Sequence, residues 1–360
     1  MKILLFSRYG RLGASSRIRS YQYFSFLAAH NVEVTAFPLF DDEYLRQVYA
    51  GKGQPKFKIM YAYIHRLIKL LRASGTSFYD FIWVEKELFP FMPAWGEALL
   101  SHFKIPYVVD YDDAVFHRYD VHSRVLVRNL LGDKIDKVMR GAALVIAGND
   151  YLADRARKSG ARRVAILPTV VDLECYRRQP VPHRDKFTIG WIGSPSTARG
   201  HLKYIEKVLS EFCHDGASRL VLVGSGEVNI EGVPLEIRPW SEETEVDDIQ
   251  SFDVGIMPLP DSPWERGKCG YKLIQCMACG LPVIASPVGV NQRIVEHGVN
   301  GFLAASPTEW LGALSTLRNS PELRQSMGDA ARRKVQSEYN LEVHAPRLLE
   351  MLRSVAEEYR

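Results

Sequence analysis

The chain is poor in the features that would mark a membrane-spanning, disulfide-bonded or dinucleotide-binding protein. None of its apolar runs approaches the ~20 residues needed to cross a bilayer. Its opening segment, MKILLFSRYGRLG, has an apolar run of four residues before the arginines and no signal-peptide cleavage pattern. A cytoplasmic location is therefore expected. Cysteine is scarce and odd in number: Cys175, Cys213, Cys269, Cys276 and Cys279, which argues against a disulfide framework. The pair Cys276-Met-Ala-Cys279 has no second pair and no H-x3-H partner, so these thiols are expected as helix packing rather than zinc ligands. The strand RLVLVGSG (219–226) ends in Gly224-x-Gly226, but Asn229 stands where a dinucleotide fingerprint needs glycine. The opening strand KILLFS lacks the glycines as well, and neither a nicotinamide nor a flavin is expected. No nucleic acid is expected as a partner.

The chain has 360 residues, 46% of them apolar and 24% charged, which suits a soluble protein of two domains. Apolar runs flanked by glycine or polar turns recur in the first half: KILLFS (2–7), VEVTAFPL (32–39), FIWVE (81–85), YVVDY (107–111), ALVIAG (143–148) and VAILP (164–168). Helical-period segments lie between them, which predicts right-handed βαβ units and a parallel sheet. The pattern lapses at 169–187 into a linker rich in proline and charge. It restarts with FTIGWIG (187–193), a helix over 200–213, RLVLVGSG, LEIRPW (235–240), FDVGIMPL (252–259), a helix over 271–279 and PVIASP (282–287). Two tail helices are predicted at about 321–338 and 341–358. The expected domains are 1–180 and 181–338, with ligands at the carboxyl ends of both sets of strands, across a shared cleft.

Net charge is +4, yet residues 1–180 carry 27 Lys and Arg against 18 Asp and Glu, leaving 19 against 24 for the rest. The two halves are thus expected to face different partners. Between Glu43 and Asp80 there are seven basic residues and no acidic one. The segment 54–74 within that stretch has Met60, Tyr63, Ile64, Leu67, Ile68 and Leu71 at helical spacing. It reads either as a helix facing the core or as a basic amphipathic helix on an anionic membrane surface.

Three loops carry candidate chemistry. In IGWIGSPSTARG (189–200) a strand ends at Gly193, and Ser194, Ser196 and Thr197 lead into a helix. Those hydroxyls either cap the helix or meet a phosphate at its N-terminus. In GKCGYKLIQCMACG, Gly267, Lys268, Gly270, Tyr271 and Lys272 open a helix that ends at Gly280, which makes an anion site beside the alternative of solvated lysines. In YVVDYDDAVFHR (107–118), Asp110, Asp112, Asp113 and His117 follow a strand; they suit sugar hydroxyls, a divalent metal or a helix cap. The first loop adds Arg11, Gly13, Ser15, Ser16 and Arg17, a flexible basic segment placed for an anionic part of a substrate. The turn at Gly224–Gly226 is either a plain tight turn or a backbone approach to a nucleotide.

The run IGWIGS, LVLVGSGE, FDVGIMPL and GKCGYKLIQCMACGLPVIASPVGVNQRIVEHGVNGFLA, in that order, resembles the donor half of retaining glycosyltransferases of family 4. The resemblance covers most of the chain and is most specific over 252–303. It implies an α/β GT-B fold: two facing Rossmann-like domains, with a C-terminal helix (339–360) packing back on the first. It also implies a nucleotide-sugar donor, bound mainly by the second domain.

The family pattern has two glutamates, separated by seven residues, ahead of its M-A-x-G-x-P-V. Aligned on Met277, Ala278, Gly280 and Pro282, those positions hold Gly267 and Gln275, so this chain is a variant without the pair. Gln275 retains hydrogen-bonding capacity for ribose hydroxyls, and Glu265 is a candidate substitute for the first carboxylate. The implied diphosphate cations are Arg199 with Lys268 or Lys272. Charge building on the leaving phosphate is then met by Lys268, Arg199 and helix-terminal amides, with no metal or other cofactor required. Asp112, Asp113 and His117 are expected to orient sugar or acceptor. The implied reaction is metal-independent hexosyl transfer with retention, to a lipid-linked or polysaccharide acceptor at the inner membrane face, as in polysaccharide or lipopolysaccharide synthesis. The alternatives are a nucleotide-sugar epimerase of the same fold and a non-catalytic nucleotide-sugar-binding subunit.

Overall fold

The computed structural model describes residues 1–49, 56–75, 78–177 and 185–359. The predicted boundary at 180/181 and the first two residues of the 54–74 helix lie outside them. The chain divides into two compact units. Met1–Thr169, Gly267–Cys269 and His344–Arg360 form unit 1; Val170–Arg266 and Gly270–Val343 form unit 2.

Unit 1 is built on six strands: β1 (Lys2–Phe6), β2 (Glu33–Ala36), β3 (Phe81–Glu85), β4 (Tyr107–Tyr111), β5 (Leu144–Ala147) and β6 (Val164–Ile166). They pair in parallel in the order β2-β1-β3-β4-β5-β6. Every residue of β3, β4 and β5 is buried, as expected of a parallel sheet covered on both faces. Leu4, Phe6, Ile82, Val84, Val109 and Val145 centre its core. The strand order reverses between β1 and β3, which makes the loops after those strands the natural ligand face of this sheet.

The helix Lys56–Ser74 packs on unit 1 through Leu70 and Ala73, with Tyr63 and Leu67 half-buried. The predicted apolar stripe therefore splits, because Met60, Ile64, Ile68 and Leu71 are exposed. The buried face also carries Arg66, whose guanidinium donates to the carbonyls of Ser7, Phe37 and Leu88. Three carbonyl acceptors make a buried cation tolerable there. The last helix, Leu341–Glu358, belongs to unit 1 from His344 onward. Glu358 pairs there with Arg162 (2.6 Å) and Arg163 (2.9 Å).

Unit 2 holds β7 (Phe187–Ile192), β8 (Ser218–Val223), β9 (Leu235–Arg238), β10 (Val254–Met257), β11 (Val283–Ala285) and β12 (Gly301–Leu303). Their order, β12-β11-β10-β7-β8-β9, is again wholly parallel and reverses between β10 and β7. The single helix predicted over 200–213 is two, Pro195–Tyr204 and Glu206–Cys213, broken at Ile205. The strand β12 and the helix Pro307–Asn319 were not foreseen from the pattern.

The helix Tyr271–Ala278 starts after Gly270, whose φ of +67° is one that glycine accepts without a Cβ penalty. A Cβ at Gly270 would also stand 2.2 Å from Ile294 Cδ1. Cys276 and Cys279 face the core, and burial pushes the Cys276 thiol up to about 12, which leaves it an inert packing group.

Candidate functional site

In unit 2 the loop after β7 lies at the point where the strand order turns back. Ser194 holds the N-cap position of Pro195–Tyr204, yet its side chain makes no capping bond. Its hydroxyl instead meets Ser196 Oγ at 3.0 Å and Thr197 Oγ1 at 3.3 Å. Among the described residues no side-chain cap is made at the start of this helix, while its dipole favours an anion there. Lys272 reaches the same place from the start of the helix Tyr271–Ala278: its Nζ is 3.5 Å from Thr197 Oγ1 and 4.1 Å from the centre of the Trp191 ring. Gly193 makes room for it, since a Cβ there would lie 2.5 Å from Lys272 Nζ. The turn after β8 closes on this loop. A Cβ on Gly224 would be 2.6 Å from Gly193 O, and one on Gly226 would be 3.2 Å from Pro195.

Hydroxyls, a helix N-terminus, backbone close to backbone and one lysine thus meet in one place, an arrangement suited to a phosphate. Arg199 is exposed two residues beyond Thr197. Gln275 points elsewhere. It is buried, and its Nε2 donates to Tyr176 Oη at 2.9 Å. Tyr176 in turn donates to Glu245 (2.8 Å), which also accepts from Trp240 Nε1 (2.6 Å). Tyr271 is half-buried beside this network and packs against the same core. Glu265 Oε1 lies 3.3 Å from the buried His201 Nε2, while Glu265 Oε2 is shut from solvent without a hydrogen-bond partner among the described residues.

In unit 1 the acidic loop after β4 is an ion cluster. Lys86 Nζ sits 2.8 Å from Asp112 Oδ1 and 3.4 Å from Asp113 Oδ2, and donates to Ser15 Oγ at 3.1 Å. Lys268 Nζ takes the other Asp113 oxygen at 3.1 Å. Burial pushes the Asp113 carboxyl up, but the ammonium groups of Lys268 and Lys86 outweigh it and hold the group well below the ordinary carboxylate range. Asp110 belongs to a different pair, a bidentate one with Arg19 at 2.8 and 2.9 Å.

The segment 267–269 is fastened to this loop. Asn149 Nδ2 donates to the carbonyls of Gly267 and Lys268, each at 3.0 Å, and Cys269 Sγ meets Asp112 O at 3.1 Å. Burial pushes the Cys269 thiol up to about 12. A Cβ on Gly267 would lie 2.4 Å from Ala114 Cβ, so the position has no space for a side chain.

His117 is not drawn into the aspartate cluster. Its Nδ1 contacts Asp120 Oδ1 and its Nε2 contacts Tyr151 Oη, both at 2.8 Å. In the first loop, Ser16 Oγ donates to Glu85 Oε2 at 2.6 Å, Arg17 is buried and Arg11 is exposed. Gly13 sits where a Cβ would strike Tyr9. Sequence reasoning missed Lys86, Asn149 and Trp191. The available signal was position alone, since all three stand at or beside the carboxyl ends of β3, β5 and β7. Lys86 carries a second sign, a φ of +64°, which is uncommon for a residue with a long side chain. Among the described residues no group of three or more His, Cys, Asp or Glu is placed to hold a metal ion.

Residues 186–320 match the family model described as Glycosyl transferases group 1. D-inositol 3-phosphate glycosyltransferase of Pseudarthrobacter chlorophenolicus is 24% identical over 262 residues, a stretch that spans 61% of this chain and 60% of that relative. Sucrose-phosphate synthase from Thermosynechococcus elongatus superposes with a TM-score of 0.75 at 16% identity over 99% of both chains. The HepE protein of Anabaena, solved with UDP-glucose, gives 0.68 at 17% identity over 98% of this chain and 100% of that one. The fold is thus that of the GT-B glycosyltransferases, and the chain resembles group 1 glycosyltransferases, most directly over 186–320.

Proposed function

We propose that the chain is a metal-independent hexosyltransferase that moves a sugar, with retention, from a nucleotide-sugar to a lipid-linked or polysaccharide acceptor. The observation that carries the reading is the convergence of Lys272, Thr197, Gly193 and the uncapped helix Pro195–Tyr204 inside the segment that matches group 1 glycosyltransferases. Lys272 and the amides of that helix hold the diphosphate and take up charge as it leaves. Arg199 approaches the phosphates from the exposed side, and the Gly224–Gly226 turn covers the nucleotide by its backbone. The half-satisfied Glu265 accepts hydrogen bonds from the donor sugar, which makes it the stand-in for the carboxylate absent at Gly267.

In unit 1, Asp112, Asp113 and Lys268 orient the acceptor hydroxyl, and Arg11 with the Gly13–Arg17 helix start receives an anionic acceptor group. His117 supports that loop through Asp120 and Tyr151. The basic helix in 54–74 rests on the inner leaflet of the membrane, in keeping with its freedom from acidic side chains. Among the described residues no helix is long and apolar enough to cross a membrane.

UDP-glucose is the first donor to test, since HepE of the same fold was solved with it. A thermal-shift panel of UDP-, GDP- and dTDP-sugars ranks donors, because a ligand stabilises by RT ln(1 + [L]/Kd). Donor hydrolysis and transfer are then followed with membrane fractions. No shift and no turnover with any of these donors overturns the proposal. A second reading, a nucleotide-sugar-binding subunit without catalysis, is favoured by one observation: neither Gly267 nor Gln275 offers a side chain to a ligand. Donor binding with no turnover in any fraction selects it.

A further inference from the structure

We infer that unit 1 docks on an anionic lipid leaflet through a surface of three elements, of which the helix Lys56–Ser74 is only the first. This deepens the membrane part of the proposed function and rests on it for that helix alone; glycosyl transfer is not assumed.

The outward face of Lys56–Ser74 exposes Phe57, Met60, Tyr61, Ile64, Ile68 and Leu71. A second short helix, Val125–Leu131, has the same division. Val127 and Leu131 turn to the core, whereas Val125, Leu126 and Leu130 are exposed, Leu126 by 69%, and Val121 just before them by 61%. The third element is the turn at Phe91–Met92. Phe91 is 54% exposed and holds a φ of +56°, a backbone conformation that bulky side chains rarely adopt.

Direct contacts join the three. Tyr63 Oη donates to Pro90 O at 2.9 Å, and Phe91 N donates to Tyr119 Oη at 3.0 Å. The Phe91 and Tyr119 rings stand 5.6 Å apart, and Tyr119 is two residues from Val121. The three elements that carry the exposed apolar groups are therefore fastened to one another within unit 1, through the half-buried Tyr63 and the buried Tyr119.

Charge decides the occupant. The first helix carries Lys56, Lys58, Lys69 and Arg72 and no acid, and the segment 121–131 carries Arg124 and Arg128 and no acid. The acids nearest the second element are already paired: Asp120 with His117 and Arg155, and Asp133 with Lys137. Two copies of this chain packed face to face would oppose one basic rim to another. An anionic bilayer accepts the apolar side chains and neutralises the rim together.

The test is co-sedimentation of the full chain, without sugar donor, with vesicles of phosphatidylcholine alone or of phosphatidylcholine and phosphatidylglycerol in equal parts. Binding is expected only to the mixed vesicles, and to weaken with added salt. Ile64→Asp, Phe91→Ser and the double variant Leu126→Asp/Leu130→Asp are each expected to lower the partition coefficient about tenfold or more, as loss of a buried apolar side chain implies. Lys58→Glu/Lys69→Glu should act on the mixed vesicles through charge alone. Unchanged binding of Leu126→Asp/Leu130→Asp overturns the three-element surface, and no binding of the unaltered chain overturns docking altogether. A dimer in sedimentation equilibrium that those substitutions dissociate would assign the face to a second copy and also overturn the proposal. Thermal shift with nucleotide-sugars serves as the folding control. It separates failure of docking from failure of donor binding.

Discussion

The ammonium of Lys272 sits 4.1 Å above the centre of the Trp191 ring, in the space that Gly193 leaves open. The indole face holds the charge by cation–π attraction at the end of β7, within reach of Thr197 Oγ1. Lys272→Met keeps the length of the stem and removes the charge. Its expected effect is a loss of about 10- to 100-fold in affinity for the nucleoside diphosphate, as for a hydrogen bond to a charged group worth ~1.5–3 kcal/mol. Calorimetric titration with UDP and UDP-glucose checks this, and unchanged affinity would move the donor phosphates away from this helix.

Gly193→Ala approaches the same point sterically. The added methyl would stand 2.5 Å from Lys272 Nζ and 2.7 Å from the Trp191 ring. The lysine is a flexible end that gives way, but the indole is fixed by burial. A roughly tenfold weaker donor is the expected outcome, together with a lower melting temperature of the unliganded protein, since overpacking against the fixed indole costs about 1–3 kcal/mol.

Restoring a glutamate at Gly267 should harm the protein. Its Cβ would lie 2.4 Å from Ala114 Cβ and 2.9 Å from Ala114 N, a contact with backbone that no rotamer relieves. Gly267→Ala is expected to cost about 1–3 kcal/mol in urea unfolding of unit 1, as overpacking does, and Gly267→Glu more. A Gly267→Glu variant that melts normally and turns over faster would show this packing to be wrong.

These contacts also mark where the sequence stopped being informative. The strands were readable because parallel strands are buried on both faces; FIWVE is apolar but for its last residue, and all five residues are buried. The start of the helix Tyr271–Ala278 was readable because Gly270 and Gly280 punctuate it. Side-chain partners were not. Lys268 and Lys272 are one helical turn apart in sequence, yet one meets Asp113 of unit 1 and the other Thr197 of unit 2. Each partner lies at least 75 positions away, and no local spacing encodes it. The helix Lys56–Ser74 misled for another reason. A periodic reading puts arginine outside, whereas Arg66 is buried because three strand-end carbonyls receive it.

Arg66→Met tests that arrangement. The methionine fills the volume but takes the guanidinium away from the carbonyls of Phe37 and Leu88, while that of Ser7 keeps the Leu39 amide at 3.0 Å. An unsatisfied buried carbonyl costs ~1–3 kcal/mol, and some water entry is expected, so a net loss of about 2–4 kcal/mol should appear in chemical unfolding. A loss below ~1 kcal/mol would mean that the guanidinium contributes little.

The pH dependence of the Asp113 cluster follows from its charges. Lys268 at 3.1 Å and Lys86 at 3.4 Å lower the folded-state pKa of Asp113 below its unfolded value of about 3.9. A depressed carboxylate pKa contributes stability that is fully present above the unfolded value and lost as pH falls through the folded one. Asp113→Asn should therefore destabilise unit 1 at pH 7, by about 1–3 kcal/mol, because it removes the carboxylate that Lys86 and Lys268 share and leaves Asp112 as the one carboxylate beside Lys86 in this cluster. The penalty should stay level down to about pH 5 and shrink progressively below about pH 4, where wild-type Asp113 begins to protonate. Urea unfolding of both proteins across that range checks the sign. Lys268→Ala should give a smaller penalty of the same pH form, since Lys86 still holds the carboxylate. A penalty for Asp113→Asn that stays level on acidification would leave Asp113 as an ordinary surface carboxylate, and one that grows would require a folded-state pKa above the unfolded value; either would contradict the ion cluster.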